Sequence, residues 1–162
     1  MAVADTLQRF TGEPDAAQAL QSIVSSARRY LDVQSIALDH VLFDTEAFEN
    51  LVSDLARKHA TSRIRILVDD VSLLVERGHR LVELARRLPS KIEIRRADEP
   101  APPRESTFVV ADNVGVWLVQ DVDVYSGWCS ARDSVRAERL TIEFARRFER
   151  AANDPELRVL SV

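Results

Sequence analysis

One segment near the middle of the chain constrains the fold more than any other. Residues 106–121 read STFVVADNVGVWLVQD, which is two apolar runs joined at Asp112–Asn113. Both runs have the composition of β-strands, and aspartate and asparagine accept the backbone angles of tight turns. The segment therefore predicts a β-hairpin, and we expect it to lie at the centre of the sheet.

The residues before the hairpin alternate between helix and strand patterns. Helices are predicted over residues 14–31, after a cap at Asp44–Thr45, and over about 71–88 with a break at Gly78. Strands are predicted over residues 34–40, 63–70 and 91–97. This alternation favours a parallel sheet with right-handed crossovers.

The remaining segments are predicted from proline content and periodicity. Residues 98–105, DEPAPPRE, contain three prolines and predict an extended surface loop. Residues 122–130 are predicted as loop, residues 131–151 as a long helix, and the tail as a short edge strand. We expect a single domain over residues 1–162, with an N-terminal helix in 1–33, a core in 34–151 and a tail in 152–162.

Composition narrows the class of protein. The chain has 162 residues and a net charge of −4, which gives no support to nucleic-acid binding, so no nucleic acid is expected as a partner. Cys129 is the only cysteine, which excludes a disulfide framework and a zinc ribbon. No signal peptide is recognisable, and no apolar run approaches the about 20 residues that span a membrane. A cytoplasmic location is the expectation.

The order of elements resembles one half of a phospholipase D-like enzyme. The resemblance covers about residues 34–150 and depends mainly on RIRILVDD (63–70) and on the hairpin. It is close to uncharacterised bacterial phospholipase D-like domains, and it implies an α/β fold, a mixed sheet with helices on both faces. Active members carry His-x-Lys-(x)4-Asp on the hairpin, where the histidine attacks phosphorus and the lysine binds the nonbridging oxygens.

The motif is degenerate in this chain. The matching positions hold Glu105, Thr107 and Asp112, so only the aspartate is present. The glycine and serine expected after the hairpin fall near Gln120 and Asp121. A carboxylate in place of the nucleophile repels a phosphodiester, and a threonine supplies no positive charge. We therefore predict a catalytically inactive domain with a binding or assembly role, and no cofactor.

His40 completes the set of candidate residues at this degenerate site. It lies just past the first predicted strand, at the sheet edge where open α/β folds bind ligands. No partner histidine can be assigned to it, so it is interpreted as a loop residue. His79, within a predicted helix, is expected to be a partly buried hydrogen-bonding residue.

Two alternative chemistries stay open. The first is a phosphoester hydrolase of altered, metal-assisted mechanism, for which the ligands would be four carboxylates at strand ends, Asp39, Asp44, Asp69 and Asp70. Helix caps and turns explain the same residues and are the preferred interpretation, so no metal is predicted. The second is suggested by ALDHVLFDTE (37–46), which resembles the opening motif of haloacid dehalogenase-type phosphatases but has Ala37 at the nucleophile.

The resemblance also implies a partner. Phospholipase D-like enzymes place two motif-bearing halves face to face, and this chain holds one half, so a homodimer is expected. The segment Tyr125–Trp128 is predicted to supply apolar contact for the dimer, and Arg104 to bridge the like charges of the two pseudo-sites. A different protein partner, or a place within a larger chain, is the remaining expectation.

Overall fold

The computed structural model describes residues 7–151, and a seven-stranded mixed sheet forms its middle layer. The strand order across the sheet is β1-β7-β6-β5-β2-β3-β4. Strands β2, β3 and β4 are parallel, and every other neighbouring pair is antiparallel. The strands are β1 (Gln8–Phe10), β2 (Tyr30–Ser35), β3 (Arg63–Val68), β4 (Ile92–Arg96), β5 (Thr107–Ala111), β6 (Gly115–Asp121) and β7 (Ser126–Ser130).

Helices cover both faces of the sheet, as predicted. They are α1 (Glu13–Ser26), α2 (His40–Phe43), α3 (Glu46–Lys58), α4 (Ser72–Arg77), α5 (Arg80–Arg87) and α6 (Ser134–Arg150). Along β3, Ile64 and Ile66 belong to the core beneath α1–α5, whereas Leu67 belongs to a second core with Phe144 of α6. Because side chains alternate along a strand, α6 alone packs against the face opposite α1–α5.

The predicted hairpin is confirmed and is central. Strand β5 lies between β2 and β6, and Val109 pairs with Trp117 across the hairpin. The connection spans residues 112–114, between the paired residues Ala111 and Gly115, and Asp112 and Asn113 have φ angles of 52° and 61°. Aspartate and asparagine accept this left-handed region more readily than most residues with a side chain, which suits them to the turn.

The second strand begins earlier than predicted. Helix α1 ends at Ser26, and Leu31, predicted on the helix stripe, is a buried strand residue. The backbone N–H groups of Arg28, Arg29 and Tyr30 donate to the Asp112 carboxylate, which holds this segment extended. Strand β2 consequently crosses the predicted boundary between residues 33 and 34 and stops at Ser35.

The predicted loop at residues 122–130 is wrong in its second half. Residues Ser126–Ser130 form β7, which lies between β6 and β1, and Trp128 is buried in the second core. Strand β1 was not predicted either. Both strands are short, and Gly127 and Cys129 carry little strand signal, so pairing defines them: β7 with β6, and β1 with β7. The predicted edge strand of the tail lies outside the described residues.

The other predicted elements are confirmed with small shifts. Thr45 caps α3, since its hydroxyl accepts the N–H of Phe48 at 3.1 Å. Gly78, with a φ of 74°, separates α4 from α5. The proline-rich segment is a loop that ends in a single 3₁₀ turn, Pro103–Glu105. Within residues 7–151, no helix is long and apolar enough to cross a membrane.

Candidate functional site

The predicted site residues do not form one cluster. Thr107 and His40 line a cavity beneath α2 and α4, whereas Glu105 and Gln120 line a groove on the α6 side of the sheet. Asp112 lies about 17 Å from Thr107, at the other end of β5. Asp121 is exposed at the end of β6, where its side chain accepts the N–H of Asp123 in the β6–β7 turn.

Glu105 and Thr107 point to opposite sides of the sheet. Residues two apart on a strand share a face, but Glu105 lies in the 3₁₀ turn, before β5 begins. Its carboxylate accepts two hydrogen bonds from the Arg139 guanidinium of α6, at 2.6 and 3.2 Å. Glu105 thereby raises the pKa of Arg139. The Thr107 side chain is buried at the mouth of the cavity on the other face.

The cavity beneath α2 and α4 has a volume of about 520 Å³ and a polar wall. At its mouth, His40 Nδ1 lies 2.8 Å from Asp44 Oδ2. The second oxygen of Asp44 accepts the backbone N–H of Arg80 at 3.0 Å. Burial alone would raise the pKa of Asp44, but the Arg80 hydrogen bond and the nearby histidines together lower it.

Asp39 lines another side of this cavity and is hydrogen-bonded to Tyr125. Asp39 caps α2 by accepting the N–H of Val41, and its other oxygen accepts the hydroxyl of Tyr125 at 2.7 Å. This hydrogen bond is the main cause that raises the pKa of Tyr125 to about 12. Tyr125 is therefore tied to the cavity wall rather than presented on an exposed loop.

His79 is a buried hydrogen-bonding residue, as predicted. Its Nδ1 accepts the N–H of Leu81 at 3.0 Å, which places the proton on Nε2, and Nε2 donates to the carbonyl of Leu38 at 3.2 Å. Burial lowers the pKa of His79, although the Asp44 carboxylate partly offsets this. The neutral ring satisfies both hydrogen bonds. A second proton would lie on Nδ1, where it would point at the Leu81 N–H group and break that hydrogen bond.

The strand-end carboxylates have hydrogen-bonding partners. Asp39 and Asp44 accept backbone N–H groups as described, and Asp70 accepts the N–H and hydroxyl of Ser72 at 2.9 and 2.6 Å. Asp69 contacts Arg147 at 3.4 Å. In the described part of the chain, no group of three or more histidine, cysteine, aspartate or glutamate side chains is placed to hold a metal ion. Turns and caps explain Asp39, Asp44 and Asp70, whereas Asp69 has long-range partners, Gln34 and Arg147.

A buried polar cluster on the α6 side was not predicted. Gln34 of β2 is completely buried, and its oxygen accepts Arg147 Nη1 at 2.6 Å. Arg147 also donates to the carbonyl of Glu99 at 2.6 Å, which fastens the proline-rich loop to the sheet. The available signal was a glutamine between Val33 and Ser35 at the start of a predicted strand, but its partner Arg147 lies far away in the chain.

The fold is that of the phospholipase D-like superfamily. NucT from Helicobacter pylori superposes with a TM-score of 0.65 at 14% identity, over 92% of this chain and 99% of that one. Nuc from Salmonella typhimurium, a phospholipase D family member, superposes with a TM-score of 0.60 at 14% identity over the same shares of the two chains. This confirms the predicted fold.

A third similar structure is TrmBL2, an archaeal chromatin protein that binds DNA. It superposes with a TM-score of 0.68 at 14% identity, and the match covers 91% of this chain but only 53% of TrmBL2, so the chain spans about half of that protein. The expectation that excluded nucleic acid is wrong, because it depended on net charge and a protein of this fold binds DNA. The homodimer stays a prediction.

At the level of sequence, residues 12–160 match a family described as a domain of unknown function, DUF7931. The chain belongs to this family. No curated protein sequence matches this chain.

Proposed function

We propose that the chain is a catalytically inactive phospholipase D-like domain with a binding role. One observation carries the proposal. The two positions that supply the nucleophile and the phosphate-binding cation in active members hold Glu105 and Thr107, and these side chains lie on opposite faces of the sheet. A phosphorus atom held by one of them is out of reach of the other.

The charges at these positions support the same proposal. The Glu105 carboxylate already neutralises Arg139, so this pair offers a phosphodiester no net attraction. The Thr107 side chain is buried and uncharged. Asp112, the one motif residue that is present, uses both carboxylate oxygens on backbone N–H groups at the far end of β5.

A phosphodiesterase assay tests the proposal. We expect no turnover of bis(p-nitrophenyl) phosphate or of oligonucleotide DNA above a mock preparation. We also expect none from the double variant Glu105→His/Thr107→Lys, because restoring the residue types does not bring them to one face. Turnover by the wild-type protein that is lost in Glu105→Ala or Thr107→Ala, but kept in the surface control Arg57→Ala, would refute inactivity.

One observation favours a second candidate, a phosphoester hydrolase of altered mechanism. The His40–Asp44 hydrogen bond uses Nδ1, so Nε2 of this exposed ring remains available at the mouth of the cavity. Activity of this kind would be lost in His40→Ala and in Asp44→Asn and would not depend on Glu105. The same assay therefore separates the two functions.

A further inference from the structure

Arginines concentrate in one groove on the α6 side of the sheet. The groove has a volume of about 630 Å³ and lies between β1, the 3₁₀ turn, β7 and the first half of α6. Its charged lining residues are Glu105 and four arginines, Arg9, Arg104, Arg136 and Arg139. The lining residues carry a charge of +3, which the Asp133 carboxylate paired with Arg136 lowers to +2, in a chain whose net charge is −4. We call this surface the arginine groove.

Further arginines continue from the arginine groove along α6. The positions before and within the helix are Arg132, Arg136, Arg139, Arg146 and Arg150. Within the helix, Arg136, Arg139, Arg146 and Arg150 lie on one side at spacings of three, seven and four residues, and Glu143 lies on the same side, where it pairs with Arg146 at 2.8 Å. From Arg136 to Arg150, this side of the helix spans about 21 Å at 1.5 Å per residue. A row of that length suits a linear polyanion better than a single nucleotide.

The four guanidinium groups of the arginine groove differ in how available they are to a ligand. Arg136 donates to the Asp133 carboxylate at 2.5 Å and is half exposed. Arg9 and Arg104 are exposed and have no ion pair within residues 7–151. Arg139 is paired with Glu105, and its side chain is 55% exposed. This pair carries no net charge, so Arg139 adds a phosphate contact only where the phosphate displaces the Glu105 carboxylate from this exposed, weak ion pair.

The groove offers no surface for stacking of bases. Trp128 lines it but is only 7% exposed, and the Arg136 guanidinium covers its ring at 5.3 Å from the centroid. Contacts would therefore go to phosphates, which carry no sequence information.

We propose that the arginine groove binds the phosphodiester backbone of a nucleic-acid strand without reading its bases. The inference rests on the proposed binding role and names its ligand. The two arginines without a carboxylate partner in residues 7–151, Arg9 and Arg104, each neutralising one phosphate, give a salt slope of about −1.4 for a single strand, so affinity falls about sevenfold between 50 and 200 mM salt.

Fluorescence anisotropy with labelled single-stranded DNA, single-stranded RNA and duplex DNA of mixed sequence tests the proposal. In 50 mM salt we expect binding to at least one of the three probes, and the probe bound identifies the strand. Arg9→Glu/Arg104→Glu should weaken binding at least tenfold. The control Arg57→Glu/Arg87→Glu makes the same change in net charge on α3 and α5, across the sheet, and should stay within threefold of wild type.

A variant that is expected to bind more tightly controls for losses of affinity that come from misfolding. Glu105→Gln removes the competing carboxylate and should tighten binding threefold or more. Three results would overturn the proposal: no binding to any probe, equal losses in the two double variants, or binding only to vesicles of anionic lipid. None of these results would create phosphodiesterase activity, so failure here is distinguishable from failure of the proposed inactivity.

Discussion

Removing the Asp112 side chain is expected to destabilise the fold rather than alter a reaction. Its carboxylate accepts the N–H groups of Arg28, Arg29 and Tyr30 at 2.8, 3.0 and 2.9 Å. These bonds fasten the hairpin turn to the start of β2, the strand that joins the parallel and antiparallel parts of the sheet. The perturbation is Asp112→Ala.

The magnitude follows from the three contacts and from the backbone. Each net hydrogen bond contributes about 1 kcal/mol when water can reach the freed donor, which gives about 3 kcal/mol for the set. Asp112 also has a φ of 52°, a region that costs alanine about 1 kcal/mol. We expect Asp112→Ala to lower the free energy of unfolding by about 3–4 kcal/mol. Asp112→Gly, which avoids the backbone cost, should lose about 1 kcal/mol less.

Urea unfolding followed by fluorescence of the fully buried Trp117 measures these differences. Asp112→Asn is the most specific variant, because it keeps one accepting oxygen and replaces the other with an NH₂ group that cannot accept the backbone N–H groups. Its free energy of unfolding should lie between those of wild type and Asp112→Ala. Asn113→Ala, which shares the left-handed φ, is the matched control for the turn. If Asp112→Ala stays within about 0.5 kcal/mol of wild type, the anchoring role of the carboxylate is refuted.

Two further outcomes are expected. The pKa of His79 is lowered from 6.5 on folding, so the unfolded chain binds the extra proton more readily, and stability should fall as pH drops below about 6.5, by at most about 1.4 kcal/mol per pH unit. His79→Gln should flatten this dependence, and a flat wild-type profile between pH 7 and 5.5 would contradict it. At Gly127 an added Cβ would lie 1.9 Å from the Leu118 carbonyl oxygen, so Gly127→Ala should cost more than about 3 kcal/mol in thermal or urea unfolding. Gly115→Ala is the control, because a Cβ there would lie 3.5 Å from its nearest atom. If the two variants lose the same free energy of unfolding, the close approach at Gly127 does not explain the loss.

The elements that could be predicted are those whose signal is local. The hairpin was predictable because its turn residues and both apolar runs stand together in the chain. Strand β7 was not, since its five residues SGWCS gain their structure from pairing with β6 on one side and β1 on the other. The start of β2 was also missed, because the carboxylate that holds it extended is more than eighty residues away.

The candidate site was only partly predictable for a related reason. Register alone identified Glu105 and Thr107 as the positions to inspect, but the predicted loop over residues 98–105 left the direction of the Glu105 side chain undefined. The 3₁₀ turn at Pro103–Glu105 ends the strand alternation and sends the two side chains to different faces. The arginine groove was missed because its members come from β1, the turn and α6, and each stands among acidic neighbours in the sequence.

The two faces of the sheet differ in what they can bind. On the α1–α5 face, the charged lining of the cavity beside Thr107 is the carboxylates of Asp39 and Asp44 and one arginine, Arg77, which together give phosphate no net attraction. On the α6 face, the groove has four arginines and one lining carboxylate, Glu105, and two of these arginines, Arg136 and Arg139, have carboxylate partners. A nucleic-acid strand would therefore be attracted to the side of the sheet on which Glu105 lies and not to the side on which Thr107 lies. Binding and hydrolysis would then be separated in space, because no strand held in the arginine groove brings a phosphate to the His40–Asp44 pair.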